Sequence, residues 1–262
     1  MIDFAYKKNY TVEDLVSIVR ILRSENGCPW DREQTHASIR RNFLEEAYEV
    51  VEAIDEKDSE HLREELGDVL MQVVFHTALE EEASRFDLNG VADGTCKKLI
   101  GRHPHIFGNE TVSSAREVLE NWDEIKRKEK GQKTAASAME AVAKSLPALW
   151  RAEKIQNKAK KAGFDWPDIS DALDKLSEEL SELKSAVQNG ENMEEELGDL
   201  IFSAVNVARF LRADPEEALN HASDKFIFRF QQMERIATKR GLSFASMSLD
   251  EMDVLWEQAK CL

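Results

Sequence analysis

Two stretches of the chain carry the same acids at the same spacing. Glu45-Glu46-x-x-Glu49 precedes Glu65-Leu66-Gly67-Asp68, and Glu178-Glu179-x-x-Glu182 precedes Glu196-Leu197-Gly198-Asp199. Residues three apart share a helix face, so Glu46 with Glu49, Glu65 with Asp68, Glu179 with Glu182, and Glu196 with Asp199 each project as a pair. Facing helices then gather four carboxylates around one point. Such charges repel by roughly 1 to 4 kcal/mol per pair at about 4 Å, depending on water screening, and a divalent cation removes that repulsion. Oxygen-only ligation selects Mg2+, with Mn2+ as a substitute, over zinc, which prefers nitrogen and sulfur. A single copy would read as a solvated, charged helix face. The ordered duplicate argues for a site.

Basic and aromatic residues repeat as well. Lys98-x-x-x-Arg102 matches Lys225-x-x-x-Arg229, each about thirty residues after its Glu-x-x-Asp element. A lysine and an arginine one turn apart suit a phosphate chain, and the competing reading is a surface pair or intrahelical ion pairs. Trp122 parallels Trp256, either a base-stacking ring or a large core residue. His103 and His105 flank Pro104, where capping or packing is the ordinary role.

The copies also differ. Glu196, Asp199, Ser203 and Asn206 form one helical stripe whose last member can bind a polar substrate group, whereas the matching residues are Glu65, Asp68, Gln72 and Phe75. Phenylalanine offers no hydrogen bond there. The second copy is therefore the better candidate for catalysis.

These side chains need helices to hold them, and only five prolines and eleven glycines interrupt long stretches of three- and four-residue apolar periodicity. An all-α fold of two tandem helical bundles is expected. Thr11-x-x-Asp14 starts one helix, and helices are expected over about 38–56, 60–83, 91–101 and 192–212. Leu44, Tyr48, Val51 and Ile54 form one apolar stripe, and Leu176, Leu180, Leu183 and Val187 another, with the carboxylates placed at the core's edge. The expected domains are 9–130 and 145–262, joined by a linker at 131–144. The broader segment 127–143 reads equally as a helix extension or a tether.

The chain has 262 residues, 51 acidic against 35 basic, and a formal charge of −16, which argues against coating nucleic acid or an anionic membrane. Its longest apolar runs are too short to cross a bilayer. The start, Met1-Ile2-Asp3-Phe4, lacks the order of a secretory leader, so a cytoplasmic location is expected. Three scattered cysteines suggest neither a disulfide framework nor a zinc site.

Taken with Cys28-Pro29-Trp30-Asp31 and Arg102-His103-Pro104-His105-Ile106-Phe107, these motifs resemble the MazG nucleoside triphosphate pyrophosphohydrolases, an all-α family, in their two-copy bacterial form. The resemblance covers nearly the whole chain. It implies Mg2+-dependent hydrolysis between the α- and β-phosphates, giving a nucleoside monophosphate and pyrophosphate. On this resemblance Glu179, Glu182, Glu196 and Asp199 are metal ligands, Lys225 and Arg229 hold the phosphates, and Trp256 contacts the base. The first-copy equivalents are Glu46, Glu49, Glu65, Asp68, Lys98 and Arg102. Glu178, or a ligand carboxylate not fully engaged, is the candidate proton acceptor. The resemblance also implies a homodimer.

The residues bear on two other classes. A carboxylate-bridged di-iron site needs Glu-x-x-His, which neither repeat supplies. A non-catalytic helical regulator that binds metal and nucleotide is the alternative to an enzyme.

Overall fold

The computed structural model describes residues 4–129, 131 and 134–261. Residues 1–3, part of the segment read for a leader, lie outside the described residues. So do residues 130, 132, 133 and 262, which fall at the expected domain and linker limits.

The chain divides into two compact units, Met1–Asp123 and Glu124–Leu262. The first contains α1 (Val12–Arg23), α2 (Pro29–Glu33), α3 (His36–Glu56), α4 (Ser59–Glu82), α5 (Leu88–Arg102) and α6 (Pro104–Phe107). The division falls inside α7 (Ala115–Glu129). The second contains α8 (Ala135–Glu140), α9 (Ala148–Lys161), α10 (Ile169–Asn189), α11 (Met193–Leu211), α12 (Pro215–Lys239) and α13 (Leu249–Ala259). Among the described residues there is no strand, and the all-α expectation holds.

Local chemistry fixes the helix starts. Thr11 and Asp14 exchange side-chain and backbone hydrogen bonds in a capping box at α1, as the sequence implied. Thr35 and Ser38 do the same for α3, which moves its start to His36, two residues before the expected Ser38. Asp58 Oδ1 accepts from the Glu60 and His61 amides at 3.0 and 3.1 Å and opens α4. Asp87 caps α5, which starts at Leu88, three residues before the expected Val91. At the other end of α10, Gly190 adopts a φ of 73°, a left-handed turn that glycine makes without steric cost. In the segment 127–143, α7 continues to Glu129, and α8 packs on α9 with Ala138 and Val142 buried.

In the first unit α3 pairs with α4, and α1 and α5 pack on α4 around Val19, Ile39, Val74, Phe75 and Ala78. In the second, α10 pairs with α11, α9 packs on α11, and α12 with α13 encloses Met233, Ala237, Leu255 and Ala259.

The helical stripes face differently from expectation. On α3, Leu44, Tyr48, Val51 and Ile54 are 45–53% exposed, and on α10 Leu180 and Val187 are likewise exposed. Ala53, Ala172, Ala186 and the carboxylate Glu179 are buried instead. Within each unit one acid, Glu65 or Glu179, is buried between the paired helices while Glu49, Glu182 and Asp199 stay exposed, and much of the apolar stripe turns outward.

Candidate functional site

Each acidic constellation sits on one helical hairpin, α3 with α4 and α10 with α11. In the first unit, carboxylate oxygens of Glu46, Glu49 and Glu65 lie within 4.8 Å of one another, close enough to share a cation. Asp68, also on α4, is near enough to act electrostatically on Glu46 and Glu65. Glu65 is 8% exposed, and its Oε2 is buried without a hydrogen-bond partner. A buried, unpaired carboxylate oxygen is costly unless something positive reaches it. His61 approaches the other oxygen, Oε1, at 3.3 Å. Burial is the largest influence raising the Glu46 carboxyl above its ordinary range, with Asp68, Glu49 and Glu65 adding to it. Burial and Glu49 raise Glu65 in the same way.

In the second unit the group within 4.8 Å is Glu179, Glu196 and Asp199. Glu182 stands one turn beyond Glu179, and its carboxyl is pushed up by desolvation and by Glu179 beside it. Thus the structure gathers three of the four expected acids tightly in each copy, with Asp68 and Glu182 at the margin. A cleft of about 380 Å³ beside α10 is lined by Glu178, Ser181, Glu182, Ser185, Asn189 and Glu196 among others. Glu178 is exposed there, beside the buried Glu179.

A lysine not singled out by the sequence reading joins this cluster. Lys175 Nζ lies 2.8 Å from Glu179 Oε1 and 2.9 Å from Glu178 Oε1, and hydrogen bonds to Glu178 and then Glu179 raise its pKa. Its i, i+3 and i, i+4 spacing to the two acids was the available signal.

The basic residues lie on neighbouring helices. Lys98 and Arg102 are in the last two turns of α5, and Lys225 and Arg229 are in the middle of α12, which touches α11. Lys98 and Lys225 are exposed, and Arg102 and Arg229 are half-buried. Among the described residues, Lys98, Lys225 and Arg229 form no ion pair with a carboxylate. Intrahelical ion pairing therefore does not account for these three.

Trp256 on α13 packs against the α12–α13 core, with its ring 5.1 Å from that of Phe226, the neighbour of Lys225. It is half-buried, so one part of the ring is core and another is accessible. His103 caps α5 and packs 5.2 Å from Trp122, in keeping with the packing role.

Phe75 and Asn206 have opposite surroundings. Phe75 is 5% exposed in the first unit's core, and the Arg23 guanidinium lies 5.1 Å over its ring. Asn206 is only half-buried and accepts hydrogen bonds from Arg209, which in turn grips Asp165. Sequence reading placed Asn206 on the acidic stripe but gave no role to Arg209, whose acidic partner is 44 residues away.

Comparison with known proteins agrees with the duplicated geometry. The MazG nucleotide pyrophosphohydrolase domain matches residues 34–107 and again 169–233, each containing one acidic hairpin. The nucleoside triphosphate pyrophosphohydrolase of Escherichia coli K12 is 44% identical over 254 residues, covering 95% of this chain and 97% of the relative. The nucleoside triphosphate pyrophosphohydrolase/pyrophosphatase MazG of Thermotoga maritima is 46% identical over 248 residues, with 95% of each chain covered. With both copies matched and similarity running almost end to end, this chain belongs to the MazG nucleotide pyrophosphohydrolase family.

Proposed function

We propose that this chain hydrolyses ribo- or deoxyribonucleoside triphosphates to the monophosphate and pyrophosphate in the presence of Mg2+, or Mn2+ in its place, and that the second unit carries the reaction. The observation that carries the proposal is the group of buried Glu179, half-buried Glu196 and exposed Asp199, with oxygens within 4.8 Å of one another. Asn206 lies farther along the same stripe, where the first unit has a buried phenylalanine.

The donor set fits a hard cation. It is all oxygen, its margin carries a carboxyl of raised pKa, and the related first-unit site leaves a buried Glu65 oxygen without a partner. Glu179, Glu182, Glu196 and Asp199 would hold Mg2+, and Glu46, Glu49, Glu65 and Asp68 are the equivalent set. When bound, the metal supplies charge neutralisation and a more acidic attacking water.

Lys225 and Arg229 bind the phosphate chain, the arginine gripping two oxygens at once. Lys98 and Arg102 are their first-unit counterparts. Trp256 offers the accessible part of its ring to the base, and Asn206 meets a polar group of the nucleoside. Glu178, exposed in the cleft beside Glu179, takes the proton from water in this scheme, and a ligand carboxylate is the alternative acceptor.

The outward apolar residues of α3 and α10 support a homodimer, since large exposed apolar patches mark association surfaces. Light scattering at micromolar protein tests this, and a monomer would refute it. Among the described residues, no helix is long and apolar enough to cross a membrane. We assign the chain to the cytoplasm, where nucleoside triphosphates are available.

The decisive assay is product analysis over a panel of NTPs and dNTPs with Mg2+, comparing the unaltered protein with Asp68→Asn and Asp199→Asn. Pyrophosphate plus monophosphate, lost only in Asp199→Asn, is the expected outcome. Loss only in Asp68→Asn moves catalysis to the first unit, and no pyrophosphate from any substrate ends the enzymatic reading.

A further inference from the structure

We propose that Arg209, clamped by Asp165, is a positioning residue that fixes the Asn206 amide so that only its amino group is left for substrate, making Asn206 a donor selective for a hydrogen-bond acceptor on the nucleoside. This rests on the second unit being the catalytic one.

The geometry is closed on three sides. The Arg209 side chain is 5% exposed. Its Nη1 donates to Asp165 Oδ2 at 3.1 Å, and Nη2 donates to Asp165 Oδ1. Nε and Nη2 also donate to Asn206 Oδ1 at 3.0 and 2.6 Å. The guanidinium lies 4.6 Å over the ring of Phe210. Asp165 is held in its ionised form: burial opposes this, but hydrogen bonds and charge from Arg209, with help from Lys160 and the Trp166 amide, overcome it.

A guanidinium has donors and no acceptor, so the atom that Asn206 turns toward it must be the amide oxygen. Both donors of one guanidinium edge converge on that oxygen and hold it toward Arg209. A free asparagine can offer either end of its amide to a ligand, but this one has only two N–H groups to give. Asn206 follows Asp199 by two turns on the same face of α11, about 10 Å along the axis at the ordinary helical rise. That places it past the carboxylates that would hold the metal. A base carbonyl, a ring nitrogen or a sugar oxygen is the chemistry that accepts from it.

A plain structural clip between α11 and the loop before α10 would need only Arg209 and Asp165. The third arm, spent on Asn206, is what the clip does not explain. The first unit serves as an internal comparison: Phe75 and Ala78 stand at the positions of Asn206 and Arg209 in the matching helix, and both are core residues. The acids are present there and the positioning device is absent.

The test uses the full chain with Mg2+ and matched ribo- and deoxyribonucleoside triphosphates, with inorganic tripolyphosphate as a competitor that has phosphates but no nucleoside. Asn206→Asp keeps an oxygen for Arg209 and removes the amino donors. The double variant Asp165→Asn/Arg209→Met removes the clamp without leaving a buried charge. Both are expected to raise KM for nucleotides about tenfold, the ordinary effect of losing one well-made hydrogen bond, with kcat nearly unchanged and tripolyphosphate inhibition altered by less than about twofold.

A larger loss for ribonucleotides puts the acceptor on the 2′-oxygen, and equal losses put it elsewhere on the nucleoside. Unchanged KM in Asn206→Asp, or equal weakening of nucleotide and tripolyphosphate, overturns the inference. If the double variant does not fold, Asn206→Asp decides alone. An unaltered protein that turns over no nucleotide defeats the catalytic reading and this inference together, and is distinguished by needing no variant.

Discussion

Lys175 Nζ stands 2.8 Å from Glu179 Oε1, so the most buried acid of the second cluster already has a cation on its own helix, one turn away. The first cluster has no such lysine: Asn42 occupies the matching position four residues before Glu46. One copy is thus partly neutralised by its own chain, and the other depends on His61 at the edge of Glu65.

Replacing Lys175 with Met should therefore expose the repulsion among Glu178, Glu179 and Glu182. In chelator, the melting temperature of Lys175→Met is expected to fall by about 2–4 °C, the shift that ~1 kcal/mol produces in a chain of this size. Titrating Mg2+ while monitoring Tm should recover most of that loss, and a variant whose Tm ignores Mg2+ would contradict the proposed ligand set.

Glu65→Gln should stabilise the chelated protein at neutral pH. The folded-state pKa of Glu65 is raised, chiefly by burial and then by Glu49, so the folded chain binds its proton more tightly than the unfolded chain does. A group of that kind opposes folding while ionised, and the penalty disappears as pH falls through its raised pKa toward the ordinary 4.5. Thermal melts of parent and variant should accordingly differ most near neutrality and converge on acidification. A gap that widens toward acid would reverse the sign.

Glu80 gives the opposite pH signature. Hydrogen bonds from Arg85 above all, and from His36 at 2.6 Å, pull its carboxyl down to about 2. Its contribution is complete above the ordinary 4.5 and drains away as pH falls toward about 2. Urea melts of Glu80→Gln against the parent should show a constant deficit from neutrality to near that ordinary value, narrowing below it.

Phe75→Asn places the second copy's residue in the first. Because Phe75 sits in the Val19–Ile39–Val74–Ala78 core, the exchange should cost about 3–5 kcal/mol through lost packing, with a further penalty for an unpaired amide. Denaturant unfolding measures the cost. Turnover of the folded fraction should not rise, since Ala78 supplies no arginine to orient the amide.

Much of this was readable from residue order. Thr11 and Asp14 announce the start of α1 because a capping box is local chemistry, and the paired acids share faces because helical spacing demands it. The outward turn of Leu180 and Val187 was not readable. A stripe's period gives its width and not its partner, and burial of Glu179 is set by how α10 packs on α11. Arg209 with Asp165 escaped for another reason: a contact spanning 44 residues has no local pattern. The short helices α2, α6 and α8 are held by their surroundings more than by propensity, and α9 carries no acidic motif to draw attention to it.

The burial of Phe75 also bears on the history of the two copies. Once an aromatic ring becomes part of the packing, neighbours such as Val74 and Ala78 adjust to its volume, and the reverse exchange must cross a poorly folded intermediate. On the proposal that the second unit carries the reaction, a core aromatic in the first is tolerable because the other copy performs the chemistry. On that same proposal the buried ring works as a ratchet: the first copy is free to change as scaffold, while regaining independent activity would require repacking the core around residue 75.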